Sequence, residues 1–249
     1  MCKLCANSAV LSNLPASPSR RVAMGMMGAI SLLGMSAAVR AAQAQPLPKL
    51  ANALSPDQAI KRLMEGNERY TSGNTQNRSF VSTRAALANG QNPYACILSC
   101  ADSRVSPELC FDEERGDLFV TRVAGNYVTN DILASLEYGV AVLHSPLIAV
   151  LGHTRCGAVS ATVNALEKQA EFPGHIQTIV TALMPAVRAV AAKPHTGTLI
   201  QASTIENIKQ NVQRLQEATP ILSNAVQGGK IEIVGGLYDL ETGRVELVA

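Results

Sequence analysis

Short apolar segments of strand length alternate with longer amphipathic segments through most of the chain. Four of these apolar segments cover residues 94–100, 117–124, 147–152 and 231–238. Nearly continuous apolar character is typical of strands buried on both faces, as in a parallel sheet covered by helices. A shorter segment, 245–248, follows a turn and is expected to pair back on the fourth strand. The pattern therefore predicts an α/β fold with a mainly parallel central sheet, an antiparallel C-terminal strand and flanking helices.

Helical periodicity and capping residues predict the elements that cover the sheet. Ser55, Pro56 and Gln58 form a capping serine, a first-turn proline and a capping-box residue, so an N-terminal helical arm begins here. Further helices are predicted over residues 79–88, 130–144, 155–170, 175–192 and 204–226. Pro185 predicts a kink or break in the helix over 175–192, because proline cannot donate a helical hydrogen bond.

The first 44 residues have the pattern of an export signal. Arg20 and Arg21 precede an apolar run over 22–39, and Ala42-Gln43-Ala44 is a small-residue cleavage site. The paired arginines favour the twin-arginine route, and hence a periplasmic location. We therefore expect a signal peptide over 1–44, a linker over 45–54 and a single catalytic domain over 55–249. The alternative is a retained membrane helix, because the apolar run is close to the shortest that spans a bilayer.

The net charge of the predicted mature protein indicates which class of partner it binds. The whole chain has a net charge of +2. The segment 1–44 contains four basic residues and no acid, so its removal leaves a net charge of −2. A weakly acidic domain without a basic patch does not indicate a nucleic-acid partner. A cleaved signal would also leave the protein without a stable membrane anchor.

Three residues of the types that zinc prefers follow two of the predicted strands. Cys100 ends the first strand, His153 follows the third, and Cys156 lies in the first turn of the next predicted helix. Ligands of open α/β sheets bind beyond the carboxyl ends of the strands, so we expect these side chains at one edge of the sheet. Two thiolates and one imidazole leave one tetrahedral position open for water, which is typical of catalytic zinc.

Asp102 and Arg104 follow the first cysteine closely enough to act at that open position. Asp102 is placed to accept a hydrogen bond from a bound water, or to bind zinc itself and close the site. Arg104 can hold Asp102 in a bidentate pair and so decide between these two states. Small polar anions would suit a zinc pocket lined by arginine.

Two alternatives compete with a catalytic zinc site. The first is an exported zinc-binding protein without turnover, in which Asp102 stays on the metal. The second is a disulfide-stabilised binding protein, because four cysteines in an exported domain ordinarily suggest two bridges. Those four cysteines of the predicted mature chain are Cys96, Cys100, Cys110 and Cys156.

The sequence around these residues resembles the β-class carbonic anhydrases. The similar segments are 63–70 (LMEGNERY), 100–109 (CADSRVSPEL), 116–126 (GDLFVTRVAGN), 152–158 (GHTRCGA) and 238–243 (YDLETG). Because five segments occur in family order across residues 55–249, the resemblance is specific and covers the whole predicted domain.

The resemblance implies zinc-dependent, reversible hydration of carbon dioxide to bicarbonate and a proton. It implies one Zn²⁺ on Cys100, His153 and Cys156, with Asp102 and Arg104 as a gating pair. It also implies a homodimer or homotetramer, with N-terminal helices embracing the partner. A related zinc hydrolase acting on carbon disulfide or carbonyl sulfide is the alternative activity, since access to the pocket rather than the ligands would distinguish it.

Overall fold

A mixed sheet forms the centre of the protein. The computed structural model describes residues 54–79 and 81–249. The sheet within these residues has five strands in the order β2-β1-β3-β4-β5. The strands are β1 (Ala95–Ser99), β2 (Leu118–Arg122), β3 (Leu147–His153), β4 (Glu232–Tyr238) and β5 (Val245–Leu247). The first four are parallel to their neighbours and β5 is antiparallel to β4, which confirms the predicted fold.

The continuous apolar character of the central strands reflects burial on both faces. Every residue of β1 and β3 is buried. In β1, Ala95 and Ile97 join an apolar cluster on one face, while Cys96 and Leu98 join a second cluster on the other. Successive side chains of a strand point to opposite faces, so one apolar strand supplies both clusters. This is why the segment lacks the alternation of a half-exposed strand.

Eight helices accompany the sheet in the part of the chain that the structure describes. They are α1 (Pro56–Thr71), α2 (Arg84–Leu87), α3 (Pro107–Cys110), α4 (Asn130–Ala141), α5 (Gly157–Lys168), α6 (Ile176–Ala191), α7 (Leu199–Gln216) and α8 (Ile221–Gln227). The predicted capping box of α1 is present, because Ser55 and Gln58 exchange side-chain and backbone hydrogen bonds. Ala59 and Leu63 of α1 are buried in the first apolar cluster of the same chain.

Three helix predictions need correction. The helix predicted over 79–88 is only the four-residue α2. The helix predicted over 204–226 is two helices, α7 and α8, and α7 begins earlier because Thr198 caps it by accepting from the backbone of Gln201. The separation occurs before Pro220, since proline lacks an N–H and disfavours helical backbone in the preceding residue.

The third correction concerns Pro185, because a break at this position is wrong. The helix α6 runs continuously through it. Pro185 and Thr181 both lie on the exposed face. The carbonyl of Thr181, which loses its helical partner, therefore faces water, and the helix tolerates the proline.

No helix among the described residues is long and apolar enough to span a bilayer. The predicted signal peptide over 1–44 and most of the predicted linker over 45–54 lie outside the described residues. The proposed export signal and domain boundaries therefore stay predictions.

The helix α7 packs unusually close to the sheet at two glycines. A Cβ atom on Gly152 of β3 would lie 2.7 Å from Ile208 Cδ1. A Cβ atom on Gly235 of β4 would meet Ile208 Cγ2, with Val212 Cγ2 at 3.2 Å. Glycine at these positions lets the helix approach β3, which ends in His153, and its neighbour β4.

We predict that Gly235→Ala destabilises the fold, because the added methyl group overpacks the contact with Ile208. The expected loss in the free energy of unfolding is about 1–3 kcal/mol. Equilibrium urea denaturation measures it. Gly90→Ala is the matched control, because Gly90 is exposed and its added Cβ would meet nothing within 4 Å. Equal stability of the Gly235→Ala variant and the native protein would contradict the close packing of α7.

Candidate metal centre

Three side chains from separate parts of the sequence meet at one end of the sheet. Cys100 directly follows β1, His153 ends β3, and Cys156 precedes the first residue of α5. The two Sγ atoms and a ring nitrogen of His153 all lie within 4.8 Å of one another. All three residues are buried. The structure therefore brings together the predicted metal ligands, although Cys156 occupies the N-cap position and not the first turn of the helix.

Sheet register explains how Cys100 and His153 come together. The strands β1 and β3 are parallel neighbours, and Ser99 is paired with Leu151. Cys100 and His153 therefore leave the sheet at the same edge, as expected for parallel strands.

A tight turn brings Cys156 back toward His153. Arg155 has left-handed backbone with a φ of 56°. Thr154 fixes the start of the turn, because its backbone amide donates to Tyr238 (2.9 Å) and its hydroxyl accepts from the Leu240 amide (3.0 Å). The turn is therefore tied to the end of β4, and Cys156 is placed by the sheet as well as by its helix.

His153 has the hydrogen-bond pattern of a metal ligand. Its Nδ1 lies 2.9 Å from the carbonyl oxygen of Thr154. A carbonyl can only accept, so in the neutral ring Nδ1 carries the proton and Nε2 carries the lone pair. Nε2 is buried without any hydrogen-bond partner. An orphaned buried nitrogen beside two thiols fits a zinc ion, whose histidine ligands commonly donate their other N–H to a carbonyl.

The two thiols lie close enough to shift each other's pKa in opposite directions. The side chain of Cys156 and the backbone amide of Gly125 stabilise the Cys100 thiolate and lower the pKa of Cys100. The Cys100 thiolate and burial raise the pKa of Cys156. The two thiols therefore hold their protons unequally, and binding of a metal to both sulfurs would displace protons.

Asp102 is held by Arg104 in a bidentate pair. Arg104 Nε lies 2.9 Å from Oδ1 of Asp102, and Nη2 lies 2.7 Å from Oδ2. These hydrogen bonds hold the pKa of Asp102 well below its usual range. Oδ2 of Asp102 is nevertheless only 3.8 Å from Nε2 of His153. The carboxylate is therefore ionised and adjacent to the cluster while both of its oxygens are bound by arginine.

Sequence reasoning missed Arg122, the last residue of β2. Its guanidinium donates to the carbonyl oxygens of Cys100 (3.0 Å), Asp102 (2.8 Å) and Val105 (2.8 Å). These bonds hold the loop that carries Cys100 and Asp102. Arg122 could have been anticipated from its position at the end of a strand beside β1, because a residue there reaches the same sheet edge as Cys100.

The segment after β2 also takes part in the site. Gly125, Asn126 and Tyr127 lie in the loop between β2 and α4. In the structure the amide of Gly125 donates to Cys100 Sγ at 3.3 Å. Tyr127 packs against the apolar cluster that contains Cys100 and Cys156. A backbone amide carries no residue-type signal, which explains why the hydrogen bond could not be predicted.

The disulfide alternative is wrong for the described cysteines. All four are free and buried. Cys96 and Cys110 belong to different apolar clusters, one on each face of the sheet, so they cannot pair with each other. Cys110 is buried among the apolar side chains of the first cluster.

Comparison with known proteins identifies the family. The family model for carbonic anhydrase matches residues 95–245. The chain is 39% identical over 194 residues to carbonic anhydrase 2 of Mycobacterium tuberculosis, covering 78% of this chain and 93% of the relative. It is 37% identical over 194 residues to the carbonic anhydrase of Mycolicibacterium smegmatis, with the same coverage.

A solved structure agrees with these relatives. The β-carbonic anhydrase CcaA superimposes with a TM-score of 0.59 at 29% identity, over 76% of this chain and 94% of CcaA. The family model, the relatives and the solved fold all cover the cysteines and the histidine that meet at the sheet edge. The chain belongs to the β-class of the carbonic anhydrase family.

Proposed function

We propose that this protein catalyses the reversible hydration of carbon dioxide to bicarbonate and a proton, with one Zn²⁺ bound by Cys100, His153 and Cys156. One observation carries the proposal. Three buried ligand atoms of the types that catalytic zinc uses lie within 4.8 Å of one another, beside a carboxylate that is not a fourth ligand in this arrangement. Membership of the carbonic anhydrase family supports the reaction, and it disfavours the carbon disulfide alternative.

The donor set determines what the metal would contribute. Zinc held by two thiolates and one imidazole lowers the pKa of a water at its open position, which makes hydroxide available near neutral pH. His153 keeps its ring oriented through the Nδ1 hydrogen bond to Thr154. Burial of all three ligands excludes competing solvent from that side of the centre.

Asp102 and Arg104 would control the open position. Arg104 occupies both carboxylate oxygens of Asp102 and keeps them from acting as a fourth ligand. Because Asp102 stays ionised, it can accept a hydrogen bond from the attacking water and orient it toward carbon dioxide. A non-catalytic zinc protein would need the opposite arrangement, in which Asp102 binds the metal.

Stopped-flow measurement of carbon dioxide hydration with a pH indicator tests the proposal. We expect the zinc-loaded protein to hydrate carbon dioxide, to lose this activity on chelation and to regain it on addition of Zn²⁺. Cys156→Ser should lose both zinc and activity. Cys110→Ala is the matched control, because Cys110 is equally buried but lies outside the centre. Full turnover by rigorously stripped protein, or none by loaded protein, would disprove the proposed function.

Replacement of Arg104 tests the gating pair. We predict that Arg104→Gln lowers kcat/KM about 10- to 100-fold, the range typical of residues that orient a metal site from outside the ligand set. Zinc content should not change. Without Arg104 the pKa of Asp102 rises toward its ordinary value of about 3.9, so Asp102 remains ionised at neutral pH. The loss should therefore be the same from about pH 6.5 to 9.

Arg188→Gln, on the exposed face of α6, is the matched control for the loss of one positive charge. Wild-type kcat/KM in Arg104→Gln would contradict the gating role. A loss confined to the acid side of the pH profile of kcat/KM would show that Arg104 acts on the protonation of Asp102 and not on its position.

Further proposals concern assembly and location. We infer that the protein forms a homodimer or homotetramer, as the resemblance implies. We also infer that it is exported to the periplasm through the twin-arginine route, which the arginine pair before the apolar run supports. Zinc occupancy would then protect Cys100 and Cys156, whose thiols are close together, from oxidation after export.

Expression of the full chain in a bacterium with a periplasm tests the export signal. We predict that the native protein is recovered from the periplasm with Gln45 as its first residue, while the double variant Arg20→Lys, Arg21→Lys stays in the cytoplasm. Arg40→Lys, which preserves the arginine pair, is the control. Membrane-bound protein that retains residues 1–44 would support an anchor instead. A Cys100–Cys156 disulfide in active periplasmic protein, found by non-reducing mass spectrometry, would refute protection by zinc.

A further inference from the structure

A pair of asparagines lies buried in the apolar face of α7. Asn207 is 3% exposed and Asn211 is 6% exposed. Their neighbours on the helix, Ile208, Val212 and Leu215, form the apolar stripe that packs on the sheet. Burial of an amide is unfavourable unless its hydrogen bonds are made, so this pair requires partners.

Those partners lie in the segment that follows β2. Asn207 Nδ2 donates to the carbonyl oxygen of Gly125 at 2.9 Å. Asn211 Oδ1 accepts from the backbone amide of Val128 at 2.7 Å. Arg214, one turn further along α7, donates to the carbonyl of Val128 at 2.9 Å. The helix thus holds both ends of the segment 125–128.

Asn211 also fixes which way the Asn207 amide points. Its Nδ2 donates to Asn207 Oδ1 at 2.9 Å and to the Asn207 carbonyl at 2.8 Å. With Oδ1 occupied by a donor, the Nδ2 group of Asn207 is directed at Gly125. The pair therefore forms an oriented donor and does not merely fill space.

Gly125 connects this pair to the metal centre. Its amide donates to Cys100 Sγ at 3.3 Å, while its carbonyl accepts from Asn207. Its backbone is left-handed with a φ of +86°, and a Cβ atom would lie 2.7 Å from Leu183 Cδ1. The position of the Gly125 amide relative to Cys100 Sγ therefore depends on α7, because Asn207 of that helix binds the Gly125 carbonyl.

We propose that Asn207 is a positioning residue that tunes the Cys100 thiolate through the Gly125 amide. An N–H···S hydrogen bond draws charge from the sulfur, so the thiolate donates less charge to a bound metal. Two thiolates donate more charge than histidines would, which weakens the acidification of water at the open position. Asn207 offsets this effect by holding the amide on the sulfur. The inference rests on the proposed zinc site and deepens it.

The alternative is that Asn207 only stabilises the fold. Asn67 does so elsewhere, because its amide bonds the carbonyls of Cys110 and Gly243 and the backbone amide of Val245. Asn67 is 4% exposed, so it matches Asn207 in burial and in the type of partner. None of these hydrogen bonds of Asn67 involves a metal ligand. Asn67→Leu is therefore a matched control for Asn207→Leu.

Cobalt substitution separates the two explanations, because a thiolate–cobalt charge-transfer band reports on the sulfur directly. We expect Asn207→Leu to bind one cobalt per chain and to shift this band to lower energy, as a more electron-rich thiolate would. In the zinc form, kcat should fall about 10-fold with KM unchanged, and the midpoint of its pH profile should move to higher pH. Asn67→Leu should change neither the band nor the profile.

Each outcome decides a separate question. A native protein without any thiolate band on cobalt binding would overturn the proposed metal site itself. A band that is present but unchanged in Asn207→Leu, or shifted equally in Asn67→Leu, would overturn the role of Asn207 alone. Asn207→Ala provides the same measurement if the leucine side chain prevents folding.

Discussion

Two thiols and an imidazole are buried together at the carboxyl edge of the sheet, and the surrounding protein satisfies their hydrogen bonding only in part. His153 Nε2 has no hydrogen-bond partner, and one thiol raises the pKa of the other. Buried polar groups normally have partners, so this arrangement is unfavourable unless a cation completes it. The rest of the structure is consistent with this requirement, since strands, turn and loop converge to place these groups.

Arginine residues stabilise the protein in different ways. Arg122 binds three carbonyls and so holds the loop that carries Cys100. Arg69 and Arg78 bind the buried carboxylate of Asp112, each with a 2.6 Å ion pair, and the pKa of Asp112 is lowered. Arg104 instead binds an ionised group beside the metal ligands. Its side chain is 54% exposed, more than those of Arg69 and Arg78, which suits a gating role.

The sequence predicted the features that depend on residue type and period. Strand positions followed from apolar segments, and Cys100, His153 and Cys156 followed from metal preference and strand order. It failed where the cause was a local proline effect, as at Pro220 between α7 and α8. It also failed where backbone groups act, as at Gly125 and at the carbonyls that Arg122 binds. These groups are the same in every residue, so only the fold reveals their partners.

The helix α7 connects the packing of the core with the metal ligands. Gly152 and Gly235 let Ile208 approach the sheet closely, and Asn207 lies next to Ile208 on the same helix. A change in packing at those glycines would move Asn207 relative to Gly125, and hence the amide relative to Cys100 Sγ. Packing of the helix and polarisation of the thiolate are therefore linked through one rigid element. The apolar face of α7 both stabilises the fold and sets the electrostatic environment of the centre.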